Sequence, residues 1–245
     1  SLSWFSSPLV MFCAVGLAFS FPLFVWSYRR STSTAFHMGC LLDRFSGLSL
    51  LIVFGFNMVS TGLFQVEFLG KDPILTPEVI GLRSSIAAGT LLLGFIISGW
   101  LCQKHSYATG LFGGLALTFV AKGGYLFYND DSSALDAIWP VAFSGVSFGM
   151  VTGVVATLAY RTIGKNHAAD IATCFILATY LGASLGTGIL DEVLVAFDTL
   201  FVAQGMAAGA ALERAFKSEF WVELVISVLL LWPAWLLLRG LKTPE

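Results

Sequence analysis

The chain has 245 residues, of which 57% are hydrophobic and only 11% charged. A water-soluble domain carries about 25% charged residues, so this sequence cannot cover a water-facing surface. Fifteen acids against thirteen Lys and Arg leave a formal charge of −2, which removes the basic field that nucleic-acid binding needs. Soluble enzyme, nucleic-acid binder and disordered chain are excluded, and a polytopic all-α membrane protein remains.

A membrane helix needs about 20 mostly apolar residues. Seven stretches meet that length: about 7–27, 46–68, 80–102, 107–128, 138–159, 168–190 and 219–238. None shows the alternation over about 10 residues that marks a barrel strand.

The first stretch begins almost at Ser1, and its first cations, Arg29 and Arg30, lie behind it. A signal peptide carries its cations in front and a small-residue cleavage site behind. The run therefore reads as a true span whose upstream sequence is missing. Residues 1–44 form this extra helix and its cytoplasmic linker, and residues 45–245 hold the other six spans.

The second stretch carries Asn57 near its centre, Gln65 two turns later and Glu67 at its close. Arg83 opens the third. The fourth is rich in glycine (Gly110, Gly113, Gly114, Gly123, Gly124) and holds Lys122 in its outer third. Gly145, Gly149 and Gly153 recur every four residues in the fifth, beside Thr152 and Thr157. Gly182, Gly186 and Gly188 mark the sixth, with Thr179 and Tyr180.

In lipid, helices associate through close backbone approach at such small residues. The stripes read as packing faces or, alternatively, as the smooth surfaces on which a transporter rocks. The connector 191–218 has apolar residues at helical spacing, broken by Asp198, Gln204, Glu213 and Arg214. It reads as an amphipathic segment on the outer side. The last stretch places Glu223 one turn inside.

Loop cations set the orientation. Eight fall on one side, at Arg29, Arg30, Arg44, Lys104, Arg161, Lys165, Arg239 and Lys242; Lys71, Arg214 and Lys217 fall on the other. The positive-inside rule places the C-terminus in the cytoplasm and the N-terminus outside, in a bacterial-type inner or plasma membrane. An outside N-terminus without a leader suits the second half of a longer chain or a split subunit.

Ionisable residues at membrane depth are costly unless paired or wet. Glu67, Arg83, Lys122 and Glu223 all fall in the outer half by this topology. Lys122 would meet Glu67 or Glu223 in an outer salt-bridge gate, or each group snorkels to the interface. Asn57, Gln65, Thr152 and Tyr180 are the candidate wall of a substrate cavity, with helix contact the alternative for Asn57. No carboxylate lies at mid-depth, where proton-coupled carriers place one. Asp170 favours the N-terminus of the sixth span electrostatically.

The cysteines Cys13, Cys40, Cys102 and Cys174 are scattered, without a C-x-x-C pair. His37, His105 and His167 occupy three different loops. No metal or cofactor site is implied. With no nucleophile elbow or phosphate loop, an enzyme is not expected.

The loop between the third and fourth stretches runs Gly99-Trp100-Leu101-Cys102-Gln103-Lys104-His105-Ser106-Tyr107-Ala108-Thr109-Gly110-Leu111-Phe112-Gly113-Gly114. It resembles the cytoplasmic loop motif of the major facilitator superfamily in its weaker, C-terminal copy. Gly99, Leu101, Lys104, Leu111 and Gly114 fit that pattern, while Gln103, Ser106 and Ala108 replace its Asp, Gly and second Arg. Three further segments are similar to the fourteen-span drug:proton antiporters: the opening Ser3–Pro8 with Trp26–Arg30, Phe64–Gly70 with Leu75–Leu82, and His167–Ala172 with Tyr180–Gly186.

The resemblance implies one linker helix plus a six-helix C-terminal bundle, with the proton-coupling carboxylate in the absent N-terminal bundle. The expected function is export of a hydrophobic or amphipathic small molecule by alternating access. The expected partners are membrane lipids and either the missing N-terminal half-transporter or other membrane subunits. The alternative is a non-transporting structural or assembly subunit on a transporter-like scaffold.

Overall fold

A computed structural model of the chain describes residues 43–60, 77–127, 134–162 and 168–241, with isolated positions between Met11 and Trp26. The chain divides into two units, Ser1–Met38 and Gly39–Glu245. In the first, the described positions, among them Met11, Val15, Phe19, Leu23 and Trp26, are helical and exposed.

The second unit is all-α, with no strand among its described residues. Its helices are α1 (Arg44–Ser60), α2 (Pro77–Gln103), α3 (Tyr107–Leu126), α4 (Ala134–Thr162), α5 (Ala168–Ala203), α6 (Ala208–Leu229) and α7 (Leu231–Gly240). The break between α6 and α7 falls at Leu230. Pro233 has no N–H to give the Leu229 carbonyl and its ring crowds that position.

Four stretches of the described residues are long and apolar enough to cross a membrane: Gly81–Gln103, Ile138–Arg161, Ala168–Ala203 and Ala208–Gly240. That is fewer than the seven expected from sequence, for identifiable reasons. The expected 107–128 span carries Lys122 and five glycines, which dilute its apolar character. The described part of 46–68 is a shorter apolar helix, Arg44–Ser60. The first expected span lies outside the continuously described residues.

A second correction concerns 191–218, which is no separate amphipathic helix. Helix α5 runs unbroken for 36 residues to Ala203, and the chain turns at Gln204–Ala207, where Gly205 takes φ +87°. Residues from Ala208 onward already belong to α6. Asp191 and Glu192, both exposed, and the half-buried Asp198 do not interrupt α5, because acids with access to solvent on a helix flank cost little. Leu194, Phe197 and Met206 pack on Phe201, Ala211 and Ala215, giving this hairpin a small core of its own.

The main core joins α1, α3, α4 and α7. Ile52, Phe56, Leu111, Val154, Leu158 and Leu237 are among its most deeply buried members. Helix α3, which is not among the four long apolar stretches, is therefore a central one.

Glycine sets two of the helix contacts. A Cβ on Gly149 would lie 2.3 Å from the Leu91 carbonyl, and one on Gly94 2.3 Å from the Val146 carbonyl. Helices α2 and α4 thus touch backbone to backbone. Helices α1 and α5 do the same where Gly182 faces the Phe54 carbonyl and Gly186 the Met58 carbonyl, each at 2.2 Å from a built Cβ. Close packing of this kind supplies dispersion contact where lipid removes the hydrophobic drive. On its other side α2 is exposed and apolar, through Leu92, Ile96 and Trp100 among others.

Candidate functional site

The charged groups inside this bundle are the best candidates for function. Lys122 on α3 is 1% exposed, and its ammonium forms an ion pair with Glu223 on α6, itself fully buried. The same ammonium donates a hydrogen bond to the Val59 carbonyl on α1 at 2.7 Å. One side chain therefore ties three helices together. It also lies over the face of Phe220, 5.6 Å from the ring centroid, a distance at which the ring quadrupole attracts a cation.

Helical geometry brings in a second acid. Glu219 precedes Glu223 by four residues, so both project from one face of α6. Glu219 is 1% exposed, and neither of its carboxylate oxygens has a hydrogen-bond partner. The charges acting on it are Glu223, then Lys122, then Asp191 on α5. Between the two acids, Phe220 stacks on Tyr125 of α3, with centroids 5.0 Å apart and rings nearly parallel. An aromatic wall thus closes the site where α3 and α6 meet.

An unpaired carboxylate away from water is normally expensive. The cluster of Lys122, Glu219 and Glu223 holds one cation and two acids, so with all three ionised it carries one net negative charge.

Arg83 is a third buried charge, 2% exposed on α2. Its Nε and Nη1 have no hydrogen-bond partner, and it makes no ion pair among the described residues. It does not join the Lys122–Glu223 pair. Ala87, one turn along, packs against Tyr125, Val141 and Phe220.

The residues expected to form a substrate wall are not gathered in one place. Asn57 is buried on α1, but its amide donates to the Val53 carbonyl of its own helix at 2.8 Å. Thr152 Oγ1 is buried on α4 without a hydrogen-bond partner. Tyr180 is 69% exposed on α5. Gln65 and Glu67 lie outside the described residues.

A tight turn joins α2 to α3. Ser106 N–H donates to the Leu101 carbonyl at 2.9 Å and His105 N–H to the Cys102 carbonyl at 3.0 Å, with His105 in the left-handed region at φ 54°. Leu101 is buried and Gly114 packs on Val151, whereas a Cβ on Gly99 would meet nothing within 4 Å. Lys104 lies over the Trp100 ring at 3.9 Å. The turn is tied to α4 by Arg161, which donates to the Tyr107 hydroxyl at 3.0 Å.

Sequence reasoning missed two features of these sites. Glu219 is the first residue of the 219–238 stretch and drew no separate reading, although its i,i+4 relation to Glu223 marks a shared face. Also missed was the contact of Ser147 on α4 with α3, where its hydroxyl donates to the Gly114 carbonyl at 2.7 Å beside Thr118. Nothing in the sequence pairs those two helices. No protein-family model, curated protein or solved structure matches the chain.

Proposed function

We propose that the chain contributes the C-terminal helices of a secondary active transporter of the major facilitator type. It would act as half of one polypeptide or as a split subunit. The cargo is a hydrophobic or amphipathic small molecule exported by alternating access, with the N-terminus outside and the C-terminus in the cytoplasm. The observation that supports this most is the Lys122–Glu223 pair, buried and bridging α1, α3 and α6. Charges held at such depth in an apolar bundle are costly, and they mark ion and substrate paths. The backbone-close glycine contacts of α2 with α4 and α1 with α5 fit helices that shift against each other.

In this reading Lys122 and Glu223 form a gate, with Arg83 and Glu67 at its rim. Asn57, Gln65, Thr152 and Tyr180 would contribute to the substrate wall in a conformation that gathers them. The test is export of an amphipathic fluorescent dye from cells expressing the intact protein. Lys122→Met and Asn57→Ala should each slow export at equal protein level. Undiminished export in both variants refutes the assignment.

A second reading has an observation of its own. The side chains expected to line a cavity are dispersed, with Asn57 bonded within its own helix and Tyr180 exposed. That dispersion favours a structural or assembly subunit on a transporter-like scaffold. Stoichiometric copurification with a larger membrane complex, together with no export activity, would select it.

A further inference from the structure

We infer that Glu219, set against the Lys122–Glu223 pair, is a proton-binding site in the half of the molecule expected to have none. The proposal deepens the transport reading by naming the ion that the carrier would exchange, and it is tested separately from export.

Geometry carries the argument. Glu219 is 1% exposed and both its oxygens lack a hydrogen-bond partner. It lies one helical turn before Glu223 on the same face of α6, and the cation there, Lys122, is already engaged by Glu223 and by the Val59 carbonyl. The described charged groups acting on it are Lys122 from α3, Glu223 from α6 and Asp191 from α5, and Tyr125 of α3 stacks on the adjacent Phe220. Helix α2 carries Arg83 one turn before Ala87, which packs on the Tyr125–Phe220 cluster, while α1 offers a carbonyl and no charge. The acids outnumber the cations directly acting on Glu219.

A metal ion is a poor occupant. Hard cations take six or more oxygen ligands, and here an ammonium stands among the donors. A proton needs one oxygen and no shell. It arrives from water, one O–H bond forms on a Glu219 oxygen, and no other covalent bond in the protein changes. The cluster passes from one net negative charge to neutrality, and on release the proton returns to water. Binding and release thus switch whether α6 carries an uncompensated charge against α3.

The test is infrared difference spectroscopy of the purified full chain in nanodiscs during a pH titration. A carbonyl stretch of a protonated carboxyl, shifted in heavy water, is expected in the wild type. It should vanish in Glu219→Gln and persist in Glu192→Gln, a control at an exposed acid on α5. Glu219→Asp should move the band rather than remove it, which covers the case in which Glu219→Gln fails to fold. Survival of the band in a folded Glu219→Gln chain overturns the proposal. So does a spectral change driven by sodium at fixed pH. A missing band leaves any export result untouched, and failed export leaves the band in place.

Discussion

Removing the Lys122 ammonium should be the most damaging single change available in the charged cluster. Lys122→Met keeps the length and apolar stem of the side chain but deletes the partner of Glu223 and the donor to Val59. Two carboxylates are then left facing each other on α6. Breaking a buried pair by deleting one member costs about 3–5 kcal/mol. For a chain of this size each kcal/mol lowers Tm by roughly 2–4 °C, so the expected drop is about 6–20 °C. Glu223→Gln should cost less, because Lys122 keeps the Val59 carbonyl and Glu219 remains nearby to compensate. The double variant Lys122→Met/Glu223→Gln should recover part of the loss, with a coupling energy of about 1–3 kcal/mol. Thermal unfolding in detergent, followed by tryptophan fluorescence across the four proteins of the cycle, reads this directly. Additive losses, or a Glu223 variant weaker than the Lys122 one, refute the pair as the organising contact of α3 and α6.

Gly149→Ala should destabilise by about 1–3 kcal/mol, because the new methyl meets the Leu91 carbonyl and Phe95 amide, which belong to backbone and cannot swing away. Gly99→Ala is its matched control and should be neutral or slightly stabilising in the same melt, since nothing lies within 4 Å and a helix interior favours Ala. Tyr107→Phe should cost about 0.5–1.5 kcal/mol by removing the acceptor of Arg161, and Arg161→Ala should add little in the Tyr107→Phe background. Phe201→Ala should raise hydrogen exchange across residues 194–215 while leaving the amides of α3 and α4 protected, because Phe201 belongs to the hairpin's own cluster.

The helices themselves were legible, since long apolar runs between charged turns admit few other readings. The ends were less so. Asp191 and Glu192 looked like the end of a span, but α5 continues through them to Ala203, because exposed acids cost an α-helix little. Packing partners were not legible at all. The spacing of Gly145, Gly149 and Gly153 announces a close approach, yet only the fold shows that Leu91 and Gly94 are what approaches. The charged cluster was half legible. Depth along each span put Lys122 and Glu223 at similar levels, while the dispersal of Asn57 and Tyr180 depends on helix rotation, which apolar all-round helices do not record.

The length of α5 has one more consequence. Its 36 residues extend about 54 Å at the α-helical rise, against a hydrocarbon layer of about 30 Å. The α5–α6 hairpin therefore extends beyond what the hydrocarbon layer needs, and its end is held by a few apolar residues of its own. Glu219 sits one turn after Ala215, the last α6 residue in the hairpin's small core. Loosening that small core would act first on the turn of α6 next to the buried acid, and the glycine contacts of α2 with α4 and of α1 with α5 take no part in it.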